Sequence, residues 1–442
     1  MSYITNMEEI IHTLAEWNFW GKRLETGVER EGYVSRIMNV LESRINKIAT
    51  VFGVRRSGKS FVMRQVAKKL SERYGKRNVL YVNFEETDIP KDLGKIYKAY
   101  VQIVKPTLSK PFLLLDEIQE VDEWERWVRS MHEKEKARMV VTGSSAKLMS
   151  EELATLLSGR DIPVEIFPLS FREFLEFNNV KISNLLEVFA NKEKILAYLR
   201  DFLKNGGFPE IVLEKSESLR KSILMRYVET ILVKDVIRRF KIREHAKLEF
   251  LANFYLENFS SLISFNRLSK FLKIPVKTVE RFSKFLAVSR IIFFVPKLSY
   301  GLKEKEVSPR KVYVIDQGIP SIFLKFSENI GKLMENLVAI ELLRKHSLEN
   351  VYYFKTREGY EVDFLIKEGL RVKQLIQVSY ANDFDEIEPR ECRALLHAKE
   401  LLKKDKPELI IMTWDYEDEE EISWFGKKAC IKFMPLWKWL LR

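Results

Sequence analysis

Gly53-Val54-Arg55-Arg56-Ser57-Gly58-Lys59-Ser60 is the stretch that decides the fold. It fits Gly-x4-Gly-Lys-Ser, a loop in which glycines let backbone N–H groups close around phosphate oxygens. Apolar residues 47–52 lead into it, and residues 61–74 leave it with helical spacing. A helix starting at such a loop aims its unsatisfied N–H groups at the phosphates. The expected nucleotide contacts are therefore Gly53, Arg56, Ser57, Gly58, Lys59, Ser60 and Phe61. Lys59 is expected to reach the β and γ phosphates of ATP, and Ser60 to ligate Mg2+. Arg55 and Arg56 lie inside the loop, where phosphate contact, partner contact and exposure to water all stay open.

Downstream, Phe112-Leu113-Leu114-Leu115-Asp116-Glu117 reads as a buried strand delivering two carboxylates at its carboxyl end, where open α/β sheets bind ligands. Asp116 is expected to hold the magnesium, directly or through water, and Glu117 to polarise the attacking water. Residues 139–145, Met-Val-Val-Thr-Gly-Ser-Ser, read as another buried strand ending in hydroxyls. Thr142, Ser144 and Ser145 are the candidates to sit between the γ phosphate and that water, with Ser144 as the catalytic candidate. Apolar β-rich runs at 47–52, 79–84, 112–115 and 138–142 alternate with helical segments, which implies βαβ units and a parallel sheet.

The set GVRRSGKS, LLLDEIQ, VVTGSS, LLSGRDIPVEIFPLSFREFL and GGFPE resembles the AAA-type ATPases common in archaea, which are akin to STAND signalling NTPases. The resemblance covers nearly the whole chain. It implies an α/β fold class: a P-loop parallel-sheet AAA-type domain with a lead-in over 1–165, a helical lid over 166–240, a winged helix over 241–325, and a C-terminal α/β domain over 326–442. It also makes Arg160 a candidate γ-phosphate sensor, in cis or from a neighbouring subunit, a role suited to a fixed, forked charge. Gly206-Gly207-Phe208-Pro209 resembles a lid motif whose proline, here Pro209, lies against adenine. A helix-breaking turn explains the same residues.

The chain carries 442 residues and a net charge of +12. Residues 241–315 hold 15 Lys and Arg against 6 Asp and Glu, so +9 of the excess is concentrated there. Within them, 265–286 read as helix–turn–helix, with Leu268, Phe271, Leu272, Val279, Phe282 and Leu286 as the apolar stripe and Pro275 in the turn. Lys277, Arg281 and Lys284 then share one face and are the candidate DNA contacts. A hairpin over 291–315 with Gly301, Lys303, Lys305, Arg310 and Lys311 reads as the wing. A packing module with a solvated cationic face is the alternative.

Near the C-terminus, Glu335 in a helix, Asp363 in Gly-Tyr-Glu-Val-Asp, and Gln377 in Leu-Ile-Gln-Val-Ser resemble the restriction-endonuclease-like nuclease pattern. That pattern implies a magnesium between carboxylates and a lysine on the last strand. Gln377 and Ser379 replace the second carboxylate and the lysine, and magnesium prefers carboxylates. The domain therefore reads as nuclease-like in fold and inactive, with Glu361, Lys373 or a second chain as the routes to rescue. The run 417–421 reads as a solvated acidic loop, and Cys392 and Cys430 as a reduced, buried pair.

No run reaches the ~18 apolar residues of a membrane span, and the first residues lack a basic end followed by an apolar run. These features set the expectation of a cytoplasmic protein with ATP and Mg2+ as ligands and ADP as product. Its partner is either DNA or a protein, a second copy of the chain included. An ATPase acting on DNA and an ATP-driven switch regulating a protein both remain open.

Overall fold

The computed structural model describes residues 2–143, 157, 159–182, 185–299, 301, 304, 308–323, 330–356 and 358–442. The chain forms two compact units, Met1–Phe167 and Pro168–Arg442.

In the first unit, α1 (Ser2–Ala15) and α2 (Glu31–Glu42) precede β1 (Ile48–Phe52). Then follow α3 (Lys59–Tyr74), β2 (Val79–Asn83), α4 (Leu93–Ala99), β3 (Phe112–Asp116), α5 (Trp124–Glu133), β4 (Arg138–Thr142) and β5 (Asp161–Glu165). The five strands are all parallel, in the order β2-β3-β4-β1-β5. The period-2 alternation of strands feeds two cores. Leu113 and Leu115 face one side with Leu14, Ile96 and Trp124, while Phe112 and Leu114 face the other with Ile37, Val62 and Val66. Both faces are thus covered, as a parallel sheet requires. Each fully buried Leu or Val contributes about 1.5–3 kcal/mol. Strand β5 escapes sequence reading because Pro163 interrupts it; it lies at the sheet edge beside β1, where a missing N–H is tolerated.

The second unit opens with α6 (Phe171–Phe177), α7 (Leu185–Ala190), α8 (Lys192–Asn205), α9 (Pro209–Leu213) and α10 (Glu217–Thr230). Ser170 starts α6 with a capping box to Glu173. Next come α11 (His245–Glu257), β6 (Ser261–Ile263), α12 (Phe265–Leu272), α13 (Val276–Val288), β7 (Ile292–Pro296) and β8 (Arg310–Val314), with the strands in one sheet ordered β6-β8-β7. Of the expected stripe, Leu268, Val279, Phe282 and Leu286 are buried, but Phe271 is 68% exposed.

Helix α14 (Ile330–Lys345) leads to β9 (Val351–Lys355), β10 (Glu361–Glu368), β11 (Arg371–Val378), α15 (Pro389–Leu401), β12 (Glu408–Thr413), β13 (Asp418–Trp424), β14 (Lys427–Pro435) and α16 (Leu436–Leu440). These strands make a mixed sheet of six, ordered β13-β14-β12-β11-β10-β9. The acidic run expected as a loop is instead part of edge strand β13. Its carboxylates sit opposite basic β14, Glu419 opposite Lys432 and Glu421 paired with Lys428, so cross-strand charge offsets poor strand propensity. Cys392 is buried and Cys430 exposed, both free, so the expected buried pair does not form. No described helix is long and apolar enough to cross a membrane.

Candidate functional site

The loop after β1 turns at Gly53, whose φ of +151° and closeness to the next strand demand glycine: a Cβ there would lie 2.1 Å from the Ile166 carbonyl oxygen. Gly58 adopts φ 93° and caps α3. Lys59 is buried, and its Nζ donates to the carbonyls of Gly53 and Val54, both at 3.2 Å, so the ammonium lies back across the loop. Ser57 is fully buried with an Oγ that has no partner among the described residues. A buried hydroxyl left unbonded costs about 1–3 kcal/mol; in a loop of converging donors it fits a phosphate oxygen. Ser60 is half-buried beside it, Arg56 is exposed at φ 70°, Phe61 is exposed under Arg64, and Arg55 pairs with Glu85 at 3.3 Å.

Two residues that sequence reading passed over brace the loop from behind. Arg30, 2% exposed, donates to the Ser57 carbonyl at 2.8 Å and to the Phe167 carbonyl at 3.0 Å. Gln65 on α3 accepts from the Arg30 N–H at 3.1 Å and donates to the carbonyls of Thr26 and Val28. Arg30 stands just before α2, outside any motif, and nothing local in the sequence marks it.

Asp116 and Glu117 emerge at the carboxyl end of β3, between β2 and β4. Asp116 is fully buried; Tyr81 donates to its Oδ2 at 2.8 Å and the Thr142 hydroxyl to its Oδ1. Thr142 Oγ1 also accepts the Glu117 N–H at 3.1 Å. Its hydroxyl thus holds the acidic pair in place; the other two candidate hydroxyls, Ser144 and Ser145, lie outside the described residues. Glu117 takes a left-handed φ of 51°, a conformation that costs a non-glycine residue about 1 kcal/mol or more and concentrates at functional sites. Gln119 donates to its carboxylate. Burial pushes the Glu117 carboxyl above its ordinary range, against the opposing pull of Lys59, the direction a general base needs. Burial, then the Asp116 charge, pushes the Tyr81 hydroxyl far up, so it stays a donor.

Arg160 does not join this group. Its carbonyl accepts the N–H of Ile48, the first residue of β1, at 2.9 Å, and its guanidinium pairs with Glu133 on α5 at 3.1 Å. It thus sits at the amino end of the sheet, about 15 Å of strand from the loop, beyond an arginine's reach. In this arrangement its guanidinium is turned to α5 rather than to the loop of its own chain, and a neighbouring subunit is the other place where it could meet a γ phosphate.

In the second unit, the Gly206-Gly207-Phe208-Pro209 segment is a packing junction. A Cβ on Gly206 would come 1.9 Å from Asp316 Oδ1, and one on Gly207 would come 2.5 Å from the Leu169 carbonyl. The Gly207 N–H donates to Asp316 Oδ2 at 2.7 Å and its carbonyl accepts from Leu169. Pro209 is the first residue of α9, where its missing N–H does no harm. Lys277, Arg281 and Lys284 are all exposed on α13. The expected wing differs: Lys303 and Lys305 lie outside the described residues, Arg310 is half-buried over Phe265, and Lys311 is 3% exposed and points inward.

Lys311 instead meets the residues of the nuclease-like pattern. Its Nζ lies 2.7 Å from Asp363, 3.0 Å from Glu335 and 3.2 Å from Glu361. The Asp363 N–H donates to Gln377 Oε1 at 3.2 Å, and Asp363 Oδ2 accepts the Val378 N–H at 3.0 Å. Glu361 therefore enters the cluster, whereas Lys373 is exposed beside Glu368.

A family model of the AAA domain matches residues 45–175, and models of two domains of unknown function (DUF8612 and DUF4143) match 196–329 and 330–438. An uncharacterized protein of Methanocaldococcus jannaschii is 37% identical over 407 residues, covering 90% of this chain and 88% of that protein. An uncharacterized protein of Haemophilus influenzae is 29% identical over 406 residues, covering 90% and 96%. Among solved structures, the Walker-type ATPase of Pyrococcus abyssi is 15% identical with a TM-score of 0.40, over 68% of this chain and 98% of that one. The Orc1 protein of Aeropyrum pernix, solved in complex with DNA, is 16% identical with a TM-score of 0.30, over 71% and 94%. The fold and loop define an AAA-type P-loop protein. The chain belongs to one family with the Methanocaldococcus protein, and its residues 45–175 carry the AAA domain.

Proposed function

We propose that this protein is a magnesium-dependent ATPase whose turnover is coupled to DNA. The observation that carries the first half is the convergence of the Gly53–Ser60 loop, Asp116 and Glu117 at the carboxyl end of one sheet, with Ser57 Oγ left for a phosphate. Ser60 and Asp116 would hold Mg2+, which when bound neutralises charge on the phosphate oxygens. Lys59 swings from its two carbonyls to the β and γ phosphates. Asp116 is oriented by two hydroxyl donors, Tyr81 and Thr142. Glu117, oriented by Thr142 and Gln119, takes a proton from the attacking water. ADP and phosphate are the products. Arg160 of a neighbouring copy of the chain is the remaining candidate for γ-phosphate contact, which requires a homo-oligomer.

The second half rests on the three exposed cations of α13 in a module of helix, strand, helix–turn–helix and two strands, which we read as a winged helix. With this reading the chain divides into 1–165, 166–240 as lid, 241–325 as winged helix and 326–442 as a nuclease-like domain without cutting activity. Phosphate contacts by Lys277, Arg281 and Lys284 make binding fall steeply with salt. The test is ATP hydrolysis with and without duplex and branched DNA at two salt concentrations. Stimulation that fades with salt supports the proposal. Turnover indifferent to DNA favours the alternative, an ATP-driven switch acting on a protein partner.

A further inference from the structure

The cluster around Lys311 carries chemistry that the nucleotide site does not use. Three carboxylates converge there: Glu335 from α14, and Glu361 and Asp363 from one face of β10, two residues apart. An ammonium has three donors and no acceptor. Here each carboxylate offers one oxygen, at 2.7, 3.0 and 3.2 Å, so all three donors are met. The second oxygens of Glu361 and Asp363 are engaged too, by Lys355 at 2.7 Å and by the Val378 N–H at 3.0 Å, while Tyr313 donates at 2.7 Å to the same Glu335 oxygen that meets Lys311. The Lys311 side chain is 4% exposed and those of Asp363 and Glu335 are 10% and 14% exposed, so water does little to screen the charges.

A divalent cation drawing on the same carboxylates would need them at 2.0–2.6 Å, with the ammonium gone. The neighbouring strand offers no replacement charge, since Gln377 is neutral and its Oε1 is occupied by the Asp363 N–H.

We propose that the ammonium of Lys311 is the permanent cation of this centre, occupying the place a divalent metal would take among Glu335, Glu361 and Asp363. The centre is thereby complete without metal. It ties β8 to α14 and β10, and it cuts no nucleic acid. The proposal is independent of the ATPase reading, since it invokes no residue of the nucleotide loop.

The test is Mn2+ binding to the nucleotide-free full chain, followed by electron paramagnetic resonance, counting only sites that Asp363→Asn abolishes. The wild type is expected to show none at millimolar Mn2+. Lys311→Ala is expected to gain one, lost again in Lys311→Ala/Asp363→Asn. An Asp363-dependent Mn2+ site, or Asp363-dependent cutting of plasmid DNA, in the wild type overturns the proposal. So does a folded Lys311→Ala chain that binds no Mn2+. If Lys311→Ala unfolds without metal, Mn2+ is expected to restore its circular dichroism, and failure to restore it counts against the proposal in the same way.

Discussion

The two acidic centres of this chain are each built from carboxylates and a buried lysine, yet they are wired in opposite ways. At the nucleotide loop, Lys59 donates to backbone carbonyls, while Asp116 and Glu117 are held by the neutral donors Tyr81, Thr142 and Gln119. Cation and anions are kept apart, so both remain for a ligand that brings negative phosphate and positive metal together. At the C-terminal centre, Lys311 is bonded to the carboxylates themselves. The same residue types leave charges available to a ligand where neutral groups orient them, and satisfy each other where cation and carboxylates are bonded directly.

The two lysines break this comparison most directly. Lys59→Ala is expected to lower ATP affinity by about 100-fold or more, by loss of charge-assisted phosphate contacts, with thermal stability nearly unchanged. Lys311→Ala is expected to do the reverse: ATP affinity unchanged, but stability lowered by about 3–5 kcal/mol, because it strands buried carboxylates. Calorimetric ATP titration and denaturant unfolding of both variants check the pair.

A smaller effect is expected outside both centres. Replacing Lys277, Arg281 and Lys284 together by Ala should reduce the slope of log affinity for duplex DNA against log salt by about 2.7, at ~0.9 per phosphate contact. Fluorescence anisotropy at several salt concentrations measures it, and an unchanged slope removes α13 from the DNA surface.

The pH responses of the centres also differ. Burial raises Glu117, and its base role needs the ionised form, so the acid limb of the turnover profile should lie above the ordinary glutamate range. Burial pushes Glu335 up to about 7. Because its folded value exceeds the unfolded one, it contributes stability at acid pH that is lost as pH rises from the ordinary glutamate value of 4.5 through about 7. Glu335→Gln should flatten that fall in an unfolding series over pH. The smallest effect expected is that of Tyr81→Phe, which removes one donor to Asp116 and should cost about 1 kcal/mol of stability with a several-fold loss in turnover.

Much of the nucleotide site was legible in the sequence because its parts are local. The loop is one contiguous motif, and Asp116-Glu117 announces itself as polar residues closing the apolar run 112–115. What escaped depends on register between distant elements. Tyr81 reaches Asp116 only because β2 pairs with β3, and Arg30 reaches the loop from a segment with no pattern of its own. Lys311 lies in the β7–β8 hairpin, as expected, but its burial escapes the sequence because strand alternation tells which residues share a face and not what lies beneath it. Gly206 and Gly207 read equally as a turn or a ligand motif; their need for glycine comes from Asp316 and Leu169, remote in sequence.

ATP turnover by Glu117→Gln, measured beside ATP binding by the same variant, tests the proposed base most directly. Binding is expected to stay close to wild type, with hydrolysis reduced by about 10²–10⁴-fold, the usual loss when a general base is removed. Full turnover by a chain that binds ATP normally would contradict the assignment of Glu117 and, with it, the reading of the β3 carboxylates as the reactive centre.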